Sequence, residues 1–482
     1  MQRCDTFIRG ATVIDGTGGP PVHADVALAD GRIAAVGALD PRAWRAGDVR
    51  DAAGLALCPG FIDVHTHDDT SVIRTPDLWP KLSQGVTTVI VGNCGVSAAP
   101  VRLRGEPPDP MNLLGRAEDF RYPTFASYRD AVARACPAVN VAAFVGHTAL
   151  RANHLDRLDR AATVDEIVAM RAELRDALAG GALGLSTGLA YASARQAPTA
   201  EVVALAEPLA AADAMYATHV RSEFSEILDA LDEAVRIGRH ARAPVVVSHL
   251  KCAGPDNWGR SDEVLAALDV AGGTHAVGWD CYPYAAGSST LDLAQVTERH
   301  DITVTWSDPH PEMGGRSLAE IAAAWRTTLA DAARRLQPAG AIYHSMSEAD
   351  VQRILRHPAT AIGSDGLPND PRPHPRLWGA FPRVLGRYCR DLGLFSLAEA
   401  VHKMTGLSAR RFGLAERGEI REGYWADLVL FDPTSVRDVA TYADPRRPAE
   451  GIAAVWVNGV PSSRDQVATG ERGGRFVARG PR

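Results

Sequence analysis

Eight short apolar segments, several of them followed by a helical pattern, constrain the fold of this 482-residue chain more than any other feature. The segments lie at 60–67, 86–95, 139–147, 181–187, 214–222, 244–251, 275–284 and 360–366. Typical helical patterns between them are VDEIVAMRAELRDALAGG and SEILDALDEAVRIGRHA. Strands that alternate with helices indicate an α/β protein with a parallel sheet, and eight such units predict a (β/α)8 barrel of the TIM type.

The two ends of the chain have a different pattern. Apolar and polar residues alternate between glycines in TFIRGATVID and ADVALADGRIAAVG, and the same style returns in ADLVLFDP and GIAAVWVNGV. We therefore expect a small β-sandwich domain built from residues 1–59 and 415–482, and a catalytic barrel domain at 60–414. About sixty residues follow the seventh strand before the next unit begins, so we expect an inserted, lid-like subdomain at 285–347.

Charge and cysteine content argue against several classes of protein. The net charge of −7 provides no basic field for nucleic acid or an anionic membrane. No run approaches the roughly 18 apolar residues of a membrane span, and Arg3, Asp5, Arg9 and Asp15 interrupt any signal-peptide core. The seven cysteines are irregularly spaced and form no CxxC motif, so we expect free thiols and a cytoplasmic location.

Six of the eight predicted strands end in a side chain that can bind a metal. These side chains, in chain order, are His65 and His67 on the first strand, then Cys94, His147, His219, His249 and Asp365. Barrel enzymes carry their active sites at this end of the strands, so the side chains would converge. The combination favours a metal centre over a set of buried core histidines. Imidazole and thiolate ligands together suit zinc.

Two further residues are expected to support this centre. Strand alternation would place Asp63 on the same face as His65 and His67, where it would orient the ligands. His147 can be a ligand, an orienting partner or a core residue, and we favour the orienting role.

The chemistry that follows is hydrolytic. Zinc lowers the pKa of a bound water from about 15.7 to about 7 and polarises a carbonyl group. Asp365, at the end of the last strand, is placed to take the proton of the water and to return it to the leaving group.

The arrangement resembles the amidohydrolase superfamily and, within it, the N-acyl-D-amino-acid deacylase or D-aminoacylase family. The resemblance covers nearly the whole chain. Its motifs are HTHDD (65–69), GNCG (92–95), GLSTGLAY (184–191), THVRSE (218–223), SHLKCAG (248–254), WDCYPY (279–284), GSDG (363–366) and HPRLWGAFPRVLG (374–386). It implies hydrolysis of small N-acyl-D-amino acids to a carboxylate and a free D-amino acid.

The resemblance also implies a division of the metal ligands. Several other amidohydrolases bridge two metals with a lysine on strand four, but GALGLSTGL contains none. In the deacylase family a cysteine takes over, and Cys94 occupies that place. A tight zinc would be held by Cys94, His219 and His249, and a second, weaker position sharing Cys94 would be formed by His65 and His67.

Substrate contacts are likewise implied by the resemblance. A buried α-carboxylate needs a cationic partner, which arginine supplies as a planar fork and lysine as a point charge. Asp365 would be the general acid/base. The substrate would be bound by Lys251, Arg376, Tyr191, Tyr282 and Ser289.

The segment GSSTLDLAQVTER bears on side-chain preference. It contains Asp292 and Gln295 before Glu298 and Arg299, so its early part lacks a cation for a second carboxylate. We therefore expect neutral or hydrophobic side chains in preference to D-aspartate or D-glutamate.

Two other functions stay open. A cyclic-amide hydrolase of the hydantoinase or dihydroorotase kind shares the barrel and the His-x-His motif, although the missing strand-four lysine argues against it. A non-catalytic scaffold would be revived by an absence of bound metal. The sequence determines neither the number of metals in use nor the oligomeric state.

Overall fold

The computed structural model describes residues 2–480, so residues 1, 481 and 482 of the predicted terminal ranges lie outside it. The strands are β1 (Gln2–Val13), β2 (Val22–Ala29), β3 (Arg32–Gly37), β4 (Trp44–Asp51), β5 (Ala56–Pro59), β6 (Phe61–Asp63), β7 (Val86–Val91), β8 (Asn140–Ala143), β9 (Val145–Gly146), β10 (Gly184–Gly188), β11 (Met215–His219), β12 (Val245–Val247), β13 (Val277–Cys281), β14 (Gly287–Thr290), β15 (Ile302–Ser307), β16 (Ala339–Tyr343), β17 (Thr360–Ile362), β18 (Leu428–Phe431), β19 (Ile452–Val457), β20 (Val460–Arg464) and β21 (Val467–Ala468).

The α-helices are α1 (Ser71–Arg74), α2 (Trp79–Leu82), α3 (Phe125–Ala135), α4 (His147–His154), α5 (Val164–Ala179), α6 (Thr199–Ala206), α7 (Ile227–Ala241), α8 (Ser261–Gly272), α9 (Leu318–Trp325), α10 (Leu329–Leu336), α11 (Glu348–Arg356), α12 (Arg376–Arg383), α13 (Leu397–Met404) and α14 (Gly406–Phe412). A π-helical stretch covers Val384–Asp391.

Strands from both ends of the chain form one hydrogen-bonded sheet. Its order is β21-β20-β19-β18-β5-β1-β2-β3, and β4 also pairs with β1. The link between the two ends is the antiparallel pairing of β18 with β5. Alternation within the strands buries Val26 and Leu28 of β2 in one cluster with Trp456 of β19. The chain ends therefore share a core that neither end could build alone.

Each of the eight predicted segments forms a strand, and these strands pair in parallel. One sheet has the order β6-β7-β8 and the other has the order β17-β13-β12-β11-β10-β9. Only Phe144 separates β8 from β9, so both sheets meet in the third predicted segment. At the opposite edge, Thr66 forms a bridge with Gly366, and the Asp365 amide donates to the His65 carbonyl at 2.7 Å. The ends of β6 and β17 are therefore neighbours.

The central strands have one face toward the helices and one toward each other. Ile62 and Val64 pack with residues of the neighbouring strands, namely Ile90, Ala142, Leu183, Met215, Ala217, Val246 and Ala361. Phe61 faces the helices and stacks on Phe381 of α12, with ring centroids 5.7 Å apart. The apolar residues of both faces are almost fully buried, as expected for a parallel sheet covered by helices.

Helices between the strands follow local signals. Thr163 accepts a hydrogen bond from the amide of Glu166, and the Glu166 carboxylate accepts one from the Thr163 amide, which forms a capping box at the start of α5. In α7, the residues Ile227, Ala230, Leu231 and Ala234 are buried at intervals of three and four residues. This spacing turns one apolar stripe toward the strands.

The segment predicted as an insert contains its own small sheet. The strands β14, β16 and β15 pair antiparallel in that order. Residues of these strands and of α9 and α10 form a separate apolar cluster that includes Leu291, Ile302, Val304, Leu318, Ile321 and Leu336.

Within residues 2–480, no helix is both long and apolar enough to cross a membrane. All seven cysteines are free. The cytoplasmic location stays a prediction.

Candidate metal centre and substrate cavity

The side chains predicted to converge are brought together just beyond the strand ends. The strands are shorter than the sequence pattern suggested: β6 ends at Asp63, two residues before His65, and β17 ends at Ile362. Cys94, His249 and Asp365 have positive φ angles of 55°, 38° and 49°. Non-glycine residues rarely adopt this conformation, and it recurs at functional sites. The backbone leaves the ladder at these points and turns the side chains toward one another.

The GNCG motif shows why glycine is needed at this turn. Gly92 has φ +76°, and a Cβ there would lie 2.3 Å from the Phe144 carbonyl oxygen. Gly95, at φ +77°, is similarly close to backbone atoms of the neighbouring strand β10. Cys94 therefore lies on a turn that only glycine neighbours allow.

Cys94 lies at the centre of a buried group of imidazoles. Its Sγ is 3.2 Å from His65 Nε2 and 3.3 Å from His249 Nε2. Burial opposes ionisation of the thiol, but the charges of His65 and His249 outweigh it, so the pKa of Cys94 lies well below its ordinary value. A hydrogen bond from His219 acts in the same direction. The thiolate, which is the form that binds metals, is therefore favoured.

The donor atoms form three overlapping sets, and the atoms within each set lie within 4.8 Å of one another. The sets are His65–Cys94–His249, His65–His67–Asp365 and His219–Glu223–His249. The five predicted metal ligands thus belong to one connected cluster, and Asp365 is part of it. The assignment of individual ligands to a tight and a weak metal position stays a prediction.

Asp365 joins the cluster to a buried arginine. Its Oδ1 is 3.2 Å from His67 Nε2, and its Oδ2 accepts from Arg376 Nη2 at 2.9 Å. Burial alone would raise the pKa of this carboxyl, but Arg376 and His67 hold the pKa well below its ordinary range. Asp365 is therefore held in its ionised, carboxylate form.

Two carboxylates missing from the sequence prediction orient the histidines. Asp280 Oδ2 lies 3.3 Å from His65 Nδ1, and its Oδ1 accepts the His249 amide at 3.0 Å. Glu223 Oε1 lies 3.0 Å from His249 Nδ1 and 3.9 Å from His219 Nε2. Carboxylates in this position fix the ring orientation of metal-binding histidines. Both residues stand in recognised motifs, WDCYPY and THVRSE, so their positions could have indicated this role.

Asp63 and His147 differ from expectation. Asp63 faces the helices like Phe61, as alternation within β6 requires, and it contacts Lys81 and accepts the Ser364 amide at 2.8 Å. His65 and His67 do not share this face, because alternation stops where β6 ends. It supports the centre from outside by holding β6 against the segment after β17. His147 Nε2 lies 3.1 Å from Glu201, which also binds Arg151. Within residues 2–480, no hydrogen bond or ion pair joins His147 to a predicted metal ligand.

Lys251 and Arg376 share one aromatic partner. The ring of Tyr282 has Lys251 Nζ at 5.6 Å and the Arg376 guanidinium at 4.6 Å from its centroid. Lys251 also contacts Glu223 at 2.5 Å. Arg376 is fully buried, and its Nε and Nη1 have no hydrogen-bond partner within the described residues. Buried donors of this kind call for an acceptor, which a bound carboxylate can supply.

A cavity of about 690 Å3 opens onto the cluster. Its lining includes His219, His249, Asp365, Lys251, Tyr282 and residues of β14. Tyr191 also lines it, with its ring 4.8 Å from that of His219, and Ser289 lines it beside Tyr191. Four of the five predicted substrate contacts, Lys251, Tyr191, Tyr282 and Ser289, therefore line one space beside the predicted metal ligands. Arg376 is not among the lining residues, but it contacts the ring of Tyr282. The roles of all five stay predictions.

Comparison with known proteins places this chain in a family. The amidohydrolase family model matches residues 48–462. A D-aminoacylase from Alcaligenes xylosoxydans xylosoxydans is 50% identical over 99% of this chain and 98% of that protein. An N-acyl-D-aspartate deacylase from the same organism is 49% identical over 98% of this chain and 93% of that protein.

Comparison with solved structures supports the same family. The crystal structure of N-acyl-D-glutamate deacylase from Bordetella bronchiseptica, complexed with zinc and a phosphonate mimic of the tetrahedral intermediate, is 46% identical with a TM-score of 0.95. The match covers 99% of this chain and 100% of that chain. The architecture is therefore the amidohydrolase fold of the α/β class, and the chain belongs to the N-acyl-D-amino-acid deacylase family of metal-dependent amidohydrolases.

Proposed function

We propose that the chain hydrolyses the amide bond of N-acyl-D-amino acids to a carboxylate and a free D-amino acid, with zinc as its metal. One observation carries the proposal. The thiolate of Cys94, four histidines and Asp365 form a buried cluster at the base of a cavity that also contains Lys251. The relatives at 46–50% identity, whose names describe deacylases of D-amino acids, support it.

The donor set fits zinc. A thiolate and imidazole nitrogens within 4.8 Å of one another match its ligand preferences. Cys94, His219 and His249 would hold a tight ion, and His65 and His67 would form a second, weaker position sharing Cys94. When bound, zinc would polarise the scissile carbonyl and lower the pKa of a water molecule.

Asp365 moves the proton. Its carboxylate takes a proton from the attacking water and then donates it to the nitrogen of the leaving amine. Arg376 and His67 hold this carboxylate in place through Oδ2 and Oδ1 respectively. The Tyr191 hydroxyl donates to the oxyanion of the tetrahedral intermediate.

The substrate's α-carboxylate is bound by the cations around Tyr282. The N–H groups of Arg376 that have no partner in the described part donate to it, and Lys251 adds a point charge. The hydroxyls of Tyr282 and Ser289 contribute further donors. The side chain of the substrate is neutral or hydrophobic, because each arginine of the remaining lining is paired with a carboxylate within the described chain. None of these arginines has buried N–H groups without a partner, as Arg376 has, in the described part.

The finer architecture belongs to the same proposal. The eight central strands close into a barrel through the neighbouring ends of β6 and β17. Residues 1–59 and 415–482 form the small β domain, and residues 60–414 form the barrel domain. The insert at 285–347 covers the cavity and excludes water, since its Ser288, Ser289 and Thr290 line it.

The test is amino-acid release from a panel of N-acetyl-D- and N-acetyl-L-amino acids, with zinc content determined on the same sample. We expect release from the D series only, with about one zinc or more per chain. Asp365→Asn should lower kcat at least 100-fold, about the low end of general acid–base effects, while zinc content stays unchanged.

Other results would redirect the proposal. Zinc without release from either panel would contradict the deacylase assignment, and opening of hydantoin would then favour the cyclic-amide alternative, which the relatives do not favour. The absence of both bound zinc and amino-acid release would favour the hypothesis of a non-catalytic scaffold.

A further inference from the structure

Arg195 and Asp292 form a charged pair in the cavity lining that is not part of the metal cluster. Arg195 follows β10 in the loop that carries Tyr191, and Asp292 lies in the insert just after β14. Arg195 Nη2 is 3.7 Å from Asp292 Oδ2, and the two side chains are 48% and 34% exposed. Both residues line the cavity. The sequence prediction for the insert did not include Arg195, because Arg195 comes from a distant part of the chain.

The pair occupies the part of the cavity left to the substrate's side chain. In the proposed function, the scissile amide lies at the metal cluster and the α-carboxylate lies between Lys251 and Arg376. The remaining lining includes Asp109, Arg195, Asp292, Ala294 and Gln295. A side chain that extends from the α-carbon toward the mouth therefore meets the Arg195–Asp292 pair.

The other lysine and arginine side chains of the lining, within the described chain, also have carboxylate partners. Arg221 binds Glu233 at 2.8 Å, and Arg299 of the insert binds Asp256 at 2.7 Å. Lys251 contacts Glu223. A second substrate carboxylate would have to displace Asp292 from Arg195 and would lie beside a like charge, which is unfavourable.

We propose that Asp292 is a specificity-determining residue: by pairing with Arg195 it excludes acidic side chains and reserves the cavity for neutral ones. This inference rests on the proposed N-acyl-D-amino-acid deacylase activity. Arg195 also donates from Nε and Nη2 to the Ala190 carbonyl, at 3.1 and 2.8 Å, which holds the guanidinium at this place. Without the carboxylate of Asp292, its positive charge would have no carboxylate partner and would bind an acidic side chain.

Asp292→Asn is the matched substitution. Asp292 Oδ1 accepts a hydrogen bond from the Ala294 amide at 2.9 Å at the start of a 310 turn, and asparagine keeps that bond while removing the charge. The measurement is kcat/KM for N-acetyl-D-glutamate and for N-acetyl-D-methionine, in the zinc-loaded enzyme. We expect the glutamate-to-methionine ratio to rise about 10-fold or more in D292N.

Two controls isolate the pair. Adding Arg195→Gln to D292N should remove the gain, because the cation that receives the acidic side chain is lost. Asp109→Asn removes a carboxylate from the same lining without freeing Arg195, so its ratio should stay within about 3-fold of the parent. Zinc content and thermal unfolding of each variant verify that the fold is intact, and Asp292→Ser serves if D292N is unstable.

An unchanged ratio in folded D292N and D292S would overturn the inference. An equal gain in D109N, or a gain that persists when R195Q is added, would also overturn it. The gain would then come from the removal of any negative charge from the lining and not from the loss of the Arg195–Asp292 pair. If the parent enzyme cleaves neutral substrates while D292N shows no gain, only this inference fails. If the parent releases no D-amino acid at all, the proposed function itself fails.

Discussion

Two buried lysines of this chain contact carboxylates near the strand ends, yet their surroundings differ. Lys81 is fully buried and makes four polar contacts within 3.2 Å. Its partners are Asp63, Thr66, Asp68 and Ser364. These contacts link β6 and α2 to the segment after β17, and none of these residues lines the cavity.

Lys251 is less completely paired. It contacts one carboxylate, Glu223, and lies 2.7 Å from His249 Nδ1 and over the ring of Tyr282. It also lines the cavity. The comparison teaches that burial and ion pairing alone do not separate a structural lysine from one predicted to bind substrate. What separates them is whether the ammonium still borders a space in which a ligand carboxylate can lie.

The largest expected effect concerns Lys81. Lys81→Met should lower the free energy of unfolding by about 3–5 kcal/mol, because Asp63 and Asp68 would stay buried without an ammonium partner. Urea unfolding followed by circular dichroism measures it. The double variant with Asp63→Asn should recover part of the loss, since one unpaired charge is removed. Parent-like stability of K81M would contradict the structural role.

Lys251 should respond in the opposite way. Lys251→Met should cost about 2–3 kcal/mol in kcat/KM for N-acetyl-D-methionine, mainly through KM. Its unfolding free energy should change by less than about 1 kcal/mol, because Glu223 borders the cavity and can be hydrated. Steady-state kinetics and the same unfolding experiment test both parts. A substrate whose carboxylate is amidated should be insensitive to K251M; equal sensitivity would refute carboxylate binding.

Glu223 connects Lys251 to the predicted metal ligands. Glu223→Gln should weaken zinc binding about 10- to 100-fold, because the carboxylate beside His249 Nδ1 is lost. Competition with a chromophoric chelator measures the affinity. Glu226→Gln is the matched control, since Glu226 lines the same cavity and forms no ion pair with the cluster within the described residues. Similar zinc affinities for both variants would argue against the orienting role.

The third lysine completes the comparison, because it is buried without a carboxylate at ion-pair distance in the described part. Lys403 donates to the His357 carbonyl, and burial lowers its pKa to about 8. Between pH 8 and about 10.4, the unfolded chain holds this proton and the folded chain does not. Stability should therefore rise with pH in this window, by up to about 1.4 kcal/mol per pH unit.

Lys403→Met should remove that rise. Urea unfolding of the parent and of K403M at pH 8, 9 and 10 gives the two slopes. Equal slopes would show that Lys403 does not titrate differently on folding. Below pH 8 the lysine is protonated in both states, so its contribution to the slope should vanish there.

Much of the fold and of the donor set could be predicted from local patterns. The eight strands were recognisable because runs of buried apolar residues between glycines are a local property of the chain. The donors at their ends were recognisable because carboxyl ends of parallel strands meet at one edge. The orienting roles of Asp280 and Glu223 were not predicted, although both residues stand in recognised motifs. From the sequence alone, a carboxylate at either position is equally compatible with a solvated surface charge.

The directions of the side chains and their pairing could not be predicted from the sequence. Asp63 faces the helices with Phe61, while His65 and His67 face the site, because strand alternation stops at the residue where β6 ends. His147 meets Glu201 of α6 and not the metal ligands. Positive φ angles at Cys94, His249 and Asp365 redirect the backbone in a way that residue type alone does not encode.

The sequence by itself determined the order of strands and helices, the cysteine and histidine donors that follow the strands, and the family of this protein. Only the tertiary structure decided which charges meet. Lys81 is surrounded while Lys251 borders a cavity, and Arg195 is paired with Asp292 across two loops. The physical reason is that ion pairs depend on distances between residues far apart in the chain, and these distances exist only after the loops have packed.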